Sequence, residues 1–276
     1  MFTVKYQRKV AQAPTTLTGQ ESKWQITEIT GLDQPDAQIN TKKIAGLDGS
    51  IFDNAILGNR NIVINMKING DADTNRHTLY DLFRVKEQGT FFFKTETRDL
   101  QIDCYVEKVT CTLFAQNEMI QISLICTQPA FLENLVRTST IAPSGETTIA
   151  NSNQEIGLYI TVAAVDDQDA ETTLGFHKIV ITSASSFGTY EIILNADDVY
   201  AEGSVIAINT KQGLKSVVYT APRQTPIGIF SNVDISSVFF PLYPGDNDIS
   251  YIIDDNADNN SKANVTVYYN YEYEGV

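Results

Sequence analysis

A chain of 276 residues with 34 acidic against 20 basic side chains, net −14, and 42% hydrophobic residues has the composition of a folded protein of one large or two ordinary domains. That balance argues against a nucleic-acid-binding surface, which needs Lys and Arg to displace phosphate counterions. No apolar run of about 18 residues offers a membrane-spanning helix, and the opening MFTVKYQRKV reads as a mixed polar strand without a secretory leader.

Val, Ile, Thr, Tyr and Phe recur along the chain and favour strands. Residues 62–68 alternate, with Ile62, Ile64, Met66 and Ile68 on one face and Asn61, Asn65 and Lys67 on the other. After Asn69-Gly70 the period changes. Leu79, Leu82 and Phe83 fall at helical spacing, with Asp71, Asp73 or Thr74 available as a cap and Gly89 as a stop. This predicts one amphipathic helix over 71–87, about four turns long. A strand over 90–95 carries Phe91, Phe92 and Phe93, and Thr97-Arg98-Asp99 forms a turn. Ile102, Cys104 and Val106 share a face, but the apolar positions then become Val109, Cys111 and Leu113, a change of parity that predicts a β-bulge. Ile120, Ile122, Leu124 and Cys126 complete an alternating strand, and this order describes a compact α+β unit.

Residues 138–156 are rich in Ser, Thr and Asn; the boundary is placed at their start, giving domains 1–137 and 138–276, with part of the segment available as the first strand of the second domain. Charge changes at the same place. Residues 1–135 hold 14 basic and 16 acidic side chains, a net of −2, whereas 136–276 hold 6 and 18, a net of −12. Strand-like stretches follow at 158–162, 178–183, 190–195, 205–209, 216–219, 249–253 and 264–273, in the spacing of a β-sandwich. Along the last of them Val265, Val267, Tyr269, Tyr271 and Tyr273 share one face.

The sequence holds no serine-hydrolase elbow, P-loop, dinucleotide fingerprint or H-E-x-x-H motif. Its two histidines, His77 and His177, read as ordinary polar residues. Carboxylates are plentiful, yet nothing singles out a glycosidase pair, and Trp24 lies outside the acidic half. Two acidic runs, 166–171 and 254–260, lack the central Gly and the distant Glu of an EF-hand and read as solvated loops. Cys104, Cys111 and Cys126 fall on strands and read as reduced core thiols.

The segments GLDGSIFDNAILGNRNIVINMKI, DADTNRHTLYDLFRVKEQGTFFFKTETRDLQIDCYVEKVTCTLF and NEMIQISLICTQPAFLEN contain four ordered features. These are a D-G turn before an arginine-bearing strand, an N-R-x-x-L-Y helix (Asn75, Arg76, Leu79, Tyr80), an F-K-T-x-x-R-D hairpin (Phe93, Lys94, Thr95, Arg98, Asp99) and an I-S-L-I-C-x-x-P-x-F ending. With FFPLYPGDNDISYIIDD and the tyrosine-rich strand after it, the chain resembles the distal tail proteins of long-tailed phages of Gram-positive bacteria.

The resemblance implies a mainly β fold with one helix. Residues 1–137 would form the ring or belt domain, a β-sandwich with a helix and a projecting β-hairpin, and 138–276 an outward-facing galectin-like β-sandwich. It implies a non-enzymatic tail-tip subunit, made in the host cytoplasm and carried in the virion, whose homohexameric ring joins the tail tube to the tail-tip hub. The partners it implies are further copies of the chain, the tail tube protein and the hub or tail-associated lysin protein, with tape measure and receptor-binding proteins beyond them. It implies no cofactor, no direct nucleic-acid recognition and no membrane. Three consecutive Phe residues cannot all enter one core, because strand neighbours point to opposite faces. At least one of them should therefore meet another layer or subunit, and with the Phe91–Arg98 hairpin and the 71–87 helix assigned to the intersubunit belt, Phe91, Phe92, Phe93, Arg98, Arg76 and Tyr80 are the expected ring-interface residues. The alternative reading is a carbohydrate-binding module that contacts the host surface.

Overall fold

The structure, a computed structural model, describes residues 2–11, 13–46, 48–113, 115–143, 145–151, 154–165, 175–255 and 262–276. The chain divides into two compact units, one of Met1–Asn134 with Glu272–Val276 and the other of Leu135–Tyr271.

The first unit opens with β1 (Thr3–Arg8), β2 (Thr15–Thr16) and β3 (Trp24–Thr30). A separate two-stranded hairpin follows, β4 (Ala37–Lys42) and β5 (Ile51–Leu57). Next come β6 (Arg60–Ile68), α1 (Ala72–Leu82), β7 (Gln88–Lys94), β8 (Asp99–Cys111), β9 (Met119–Cys126) and β10 (Phe131–Glu133). Apart from the hairpin, these strands make one sheet in the order β2-β1-β7-β8-β9-β6-β3, with β10 also paired to β8. The period-2 sequences dictate its inner face. Ile62, Ile64, Met66 and Ile68 of β6 and Ile120, Ile122, Leu124 and Cys126 of β9 are all buried in one core. Each such aliphatic side chain contributes about 1.5–3 kcal/mol.

The parity change in β8 is a bulge, with the β8–β9 register shifting between Val106 and Lys108. Helix α1 lays Leu79 and Phe83 on the core, and Phe83 stacks on Tyr6 at 4.4 Å between ring centroids. Its cap is Asp71, whose carboxylate accepts from Thr74 Oγ1 (2.7 Å) and Thr74 N (3.4 Å). Those bonds hold the Asp71 carboxyl below its ordinary pKa.

The helix is shorter than its sequence suggests. It stops at Phe83, Lys86 turns through a positive φ of 74°, and Gly89 is a buried residue of β7 where a helix stop was expected. Pairing with β1 and β8 takes the 88–94 segment into the sheet. Gly89 is needed there for space, since a Cβ would sit 2.3 Å from the Tyr6 hydroxyl and 2.7 Å from the Gln7 carbonyl oxygen.

The second unit is a β-sandwich. Its strands are β11 (Arg137–Ile141), β12 (Thr147–Asn151), β13 (Tyr159–Ala164), β14 (Gly175–Ser185) and β15 (Gly188–Ala201), followed by β16 (Val205–Asn209), β17 (Ser216–Thr220), β18 (Ile227–Gly228), β19 (Gly245–Ile253) and β20 (Ala263–Tyr269). Sheets β11-β20-β13-β16-β17-β18 and β12-β19-β14-β15 contribute to one core. Ile160, Val162, Ile208 and Val265 come from the first sheet, and Ile179, Ile181, Leu194 and Ile249 from the second. The Ser/Thr/Asn-rich 138–156 region, expected to open the second domain and to offer it a first strand, supplies most of β11 and all of β12, which join different sheets. Its short polar alternation conceals the buried Ile141 and Ile149.

The long terminal strand expected over 264–273 is broken. β20 stops at Tyr269, and β21 (Glu272–Tyr273) pairs with β10 of the first unit, Phe131 opposite Tyr273. The tyrosine face is divided accordingly, with Tyr269 and Tyr271 packing on the second core and Tyr273 on the first. Asn270 Nδ2 donates to the Leu135 carbonyl at 3.1 Å, so the two ends of the second unit meet.

No disulfide forms among the described residues. The hydrogen bond with Cys126, together with burial, pushes the Cys104 thiol far above its ordinary pKa. A protonated, enclosed thiol is a poor nucleophile. In native protein at pH 7, a thiol reagent followed by mass spectrometry should label the half-buried Cys111 first, with Cys104 and Cys126 reacting only on unfolding. In urea titrations Gly89→Ala should lower unfolding free energy by about 1–3 kcal/mol, the usual cost of overpacking.

Candidate functional site

The β4–β5 hairpin is the least self-sufficient element of the first unit. Ile39 (64% exposed), Phe52 (62%), Ile56 (58%) and Ile51 (54%) lie in water, with Ile44 and Leu57 also exposed. The polar contacts are local. Asn40 Nδ2 donates to Asn54 Oδ1 at 2.6 Å, and Lys42 Nζ pairs with Asp53 Oδ1 at 2.6 Å. An isolated two-stranded hairpin is marginal in water, and exposed apolar area of this extent marks an interaction surface. The arm's turn contains Asp48-Gly49, the D-G turn visible in the sequence, with Gly49 at φ 92°. Alternation across 37–57 is masked by Asn, Asp and Gln, and so the arm itself was not legible.

Arg60 lies directly after the arm, at the start of β6. It is 3% exposed and its charge is met by carbonyl oxygens. Nε donates to Pro129 O (2.6 Å), Nη1 to Gly31 O (2.7 Å) and Asp33 O, and Nη2 to Glu274 O. Its guanidinium also lies 4.6 Å over the Phe131 ring. Burial lowers its pKa, opposed by the Cys126 thiol, Asp33 and Glu274.

The six expected interface residues occupy several places. Phe91 and Phe93 are in the core, while Phe92 faces the other side of β7 and lines a hollow of about 120 Å³ with Thr3, Lys5, Pro14 and Lys94. Arg98 donates to Gly275 O at 2.9 Å and lies 4.5 Å over the Tyr273 ring. Arg76, on α1, pairs with Glu118 of the β8–β9 connection at 2.8 Å and with Asp73. Tyr80 packs against the edge of the core, and burial raises its pKa.

His77 is exposed beside Asp73, and His177 N donates to Asp254 Oδ1 at 2.8 Å. The acidic run 166–171 lies outside the described residues, as do residues 256–260 of the second run. In the described part, Asp254 also accepts from Lys178 N at 2.9 Å, and Asp255 pairs with Lys178 Nζ at 2.7 Å. Among the described residues no cluster of three or more His, Cys, Asp or Glu is placed to hold a metal ion.

Arg60→Ala would leave buried carbonyls without partners. Urea unfolding should show a loss of about 3 kcal/mol or more, at the scale of 1–3 kcal/mol per orphaned group.

Residues 16–126, which include the arm, Arg60 and α1, match the family of the phage tail protein RIFT-related domain. Among solved structures, the chain is similar to the Dit (gp 19.1) protein of phage SPP1, described as a paradigm of the hub adsorption apparatus in Gram-positive infecting phages. Identity is 13%, the TM-score is 0.71, and 99% of each chain is covered. It is also similar to chains in the phage P2 baseplate in its activated conformation with Ca and with Sr, each at 11% identity and TM-score 0.57 over 100% of both chains. No curated protein matches the chain.

Proposed function

We propose that this chain, built on a phage tail domain and folded like SPP1 Dit, is a structural subunit of a phage tail tip that assembles as a ring between the tail tube and the tail-tip hub. The observation that carries the reading is the β4–β5 arm, whose exposed Ile51, Phe52 and Ile56 stand opposite Lys42, Thr41 and Gln38 and whose exposed Ile39 faces only the small Ala55. A ring subunit makes a heterologous contact, one surface inserting into a different surface of the next copy. An apolar hairpin suits that geometry because it gains its burial only on assembly.

Six copies, a galectin-like character for the second unit and the anchoring of receptor-binding components there come with the distal-tail resemblance. The role is that of a scaffold without catalysis, at the virion tail tip after synthesis in the host cytoplasm. Phe92, Arg76 and Tyr80 are proposed as further interface residues, whereas Phe91 and Phe93 act through the core and Arg98 through Tyr273. The net of −12 in residues 136–276 would discourage nonspecific contacts and favour basic partners.

One observation favours a second reading, glycan binding by the second unit. Phe187, 56% exposed, stacks on Tyr243 at 5.0 Å, and Tyr190 stacks on Tyr243 at 5.3 Å. Specific glycan-array binding that is lost in Phe187→Ala would support it.

The ring reading is tested by light scattering on the full chain. Wild type should form a closed oligomer of six copies, and the double variant Ile39→Ser, Phe52→Ser should be monomeric. Stability should change by no more than about 0.5 kcal/mol per site, as for surface substitutions. A double variant that assembles like wild type overturns the arm's role.

A further inference from the structure

The root of the arm and the segment Glu272–Val276 are tied together. The chain enters the arm through residues 31–36 and leaves it through 58–60, with Gly58 N donating to Asp36 O at 3.1 Å across the root. Arg60 grips both sides of the entrance through Gly31 O and Asp33 O, and the same guanidinium holds Glu274 O. Val276 N donates to Leu32 O at 3.1 Å. Gly275 lies against the backbone of Asp33 and Gln34, where even an added Cβ would be in ordinary contact at 3.5 Å. Arg98 fastens the segment from another direction, donating to Gly275 O and covering the Tyr273 ring. Pairing of β21 with β10 completes the attachment.

Little of this burial belongs to the core, which Tyr273 touches and the other four residues do not. One backbone hydrogen bond, Val276 N to Leu32 O, reaches residues 31–34 directly, and the Arg60 guanidinium bridges Glu274 O to Gly31 O and Asp33 O. They restrict a loop that would otherwise leave the arm hinged at its base, since neither strand of the arm pairs with the main sheet. A hinged arm pays conformational entropy whenever it docks, whereas a fixed one is already ordered.

We propose that Glu272–Val276 is a clasp that fixes the root of the β4–β5 arm, so that ring assembly depends on a strap supplied by the chain after it has completed the second unit. The clasp rests on the reading of the arm as the assembly element. Arg60, Arg98 and Tyr273 are positioning residues that act on the arm through residues 31–34.

Arg60→Ala is unsuited to the test because it disturbs the folded unit. The full chain lacking Gly275 and Val276 removes two clasp hydrogen bonds and leaves Tyr273 and the Arg60–Glu274 bond in place. Arg98→Gln is a second, milder variant in case the deletion fails to fold. Hydrogen exchange followed by mass spectrometry reads the root, and light scattering over a concentration series reads assembly.

The expected result is exchange at residues 31–36 faster by about tenfold, with β6 and β9 amides unchanged, as for local opening. The concentration for half assembly should rise by a similar factor. Wild-type exchange at the root, or faster exchange with unaltered assembly, overturns the proposal. Faster exchange throughout β6–β9 also overturns it, because the segment would then be a general stabiliser. Failure of the arm reading is distinguishable. In that case Ile39→Ser, Phe52→Ser assembles normally, while root exchange still reports whether the clasp holds.

Discussion

The first unit depends on a buried guanidinium. An arginine 3% exposed would be costly if its charge were unmet. Arg60 meets it with carbonyl oxygens from three separate stretches of chain, a task suited to the five fixed donors of the guanidinium and beyond the reach of an ammonium. Those stretches would otherwise be loops with unpaired backbone. Through one side chain, the start of β6 organises the entrance to the arm, the approach to β10 and the strap that follows the second unit.

Around that point the molecule separates what is stable alone from what is not. The main sheet and α1 bury a continuous core, and the sandwich does the same with its own aliphatic residues. The buried Asn247 of the sandwich is matched, its Nδ2 donating to Tyr243 O (2.8 Å) and Gly245 O (3.1 Å) while Oδ1 accepts from Tyr243 N (2.9 Å). The arm leaves its large apolar side chains Ile39, Ile51, Phe52 and Ile56 in water. A hairpin of this kind gains stability by docking, which is why the functional reading rests on it and leaves the better-packed parts as its support.

The second unit is inserted between two strands that pair with each other, β10 and β21. Its ends meet through Asn270 and Leu135, and Arg137 lies 4.4 Å over the Tyr271 ring. An insertion with joined ends can vary in content without disturbing its host, provided that the strand pair at its base survives. The strongly acidic load falls in this part of the chain, leaving the arm-bearing unit close to neutral.

Local periodicity by itself determined β6, β8 with its bulge, β9 and most of the sandwich strands, because a buried face imposes strict alternation on the residues that form it. The sequence also narrowed the helix cap to Asp71, Asp73 or Thr74, of which the structure uses Asp71, and showed the D-G turn, since each is a local hydrogen-bonding or φ requirement. Tertiary structure decided the rest. The helix expected to reach residue 87 ended at Leu82, ahead of the sheet pairing that begins at Gln88, and the core took Phe91 and Phe93 and left Phe92 on the other face. The uniform tyrosine alternation of 264–273 gave no sign of its break, because one alternating pattern serves two cores equally well. The arm carries no buried face to leave a mark, and the partners of Arg60 are backbone carbonyls, which every residue possesses. Only the fold could show which carbonyls meet it.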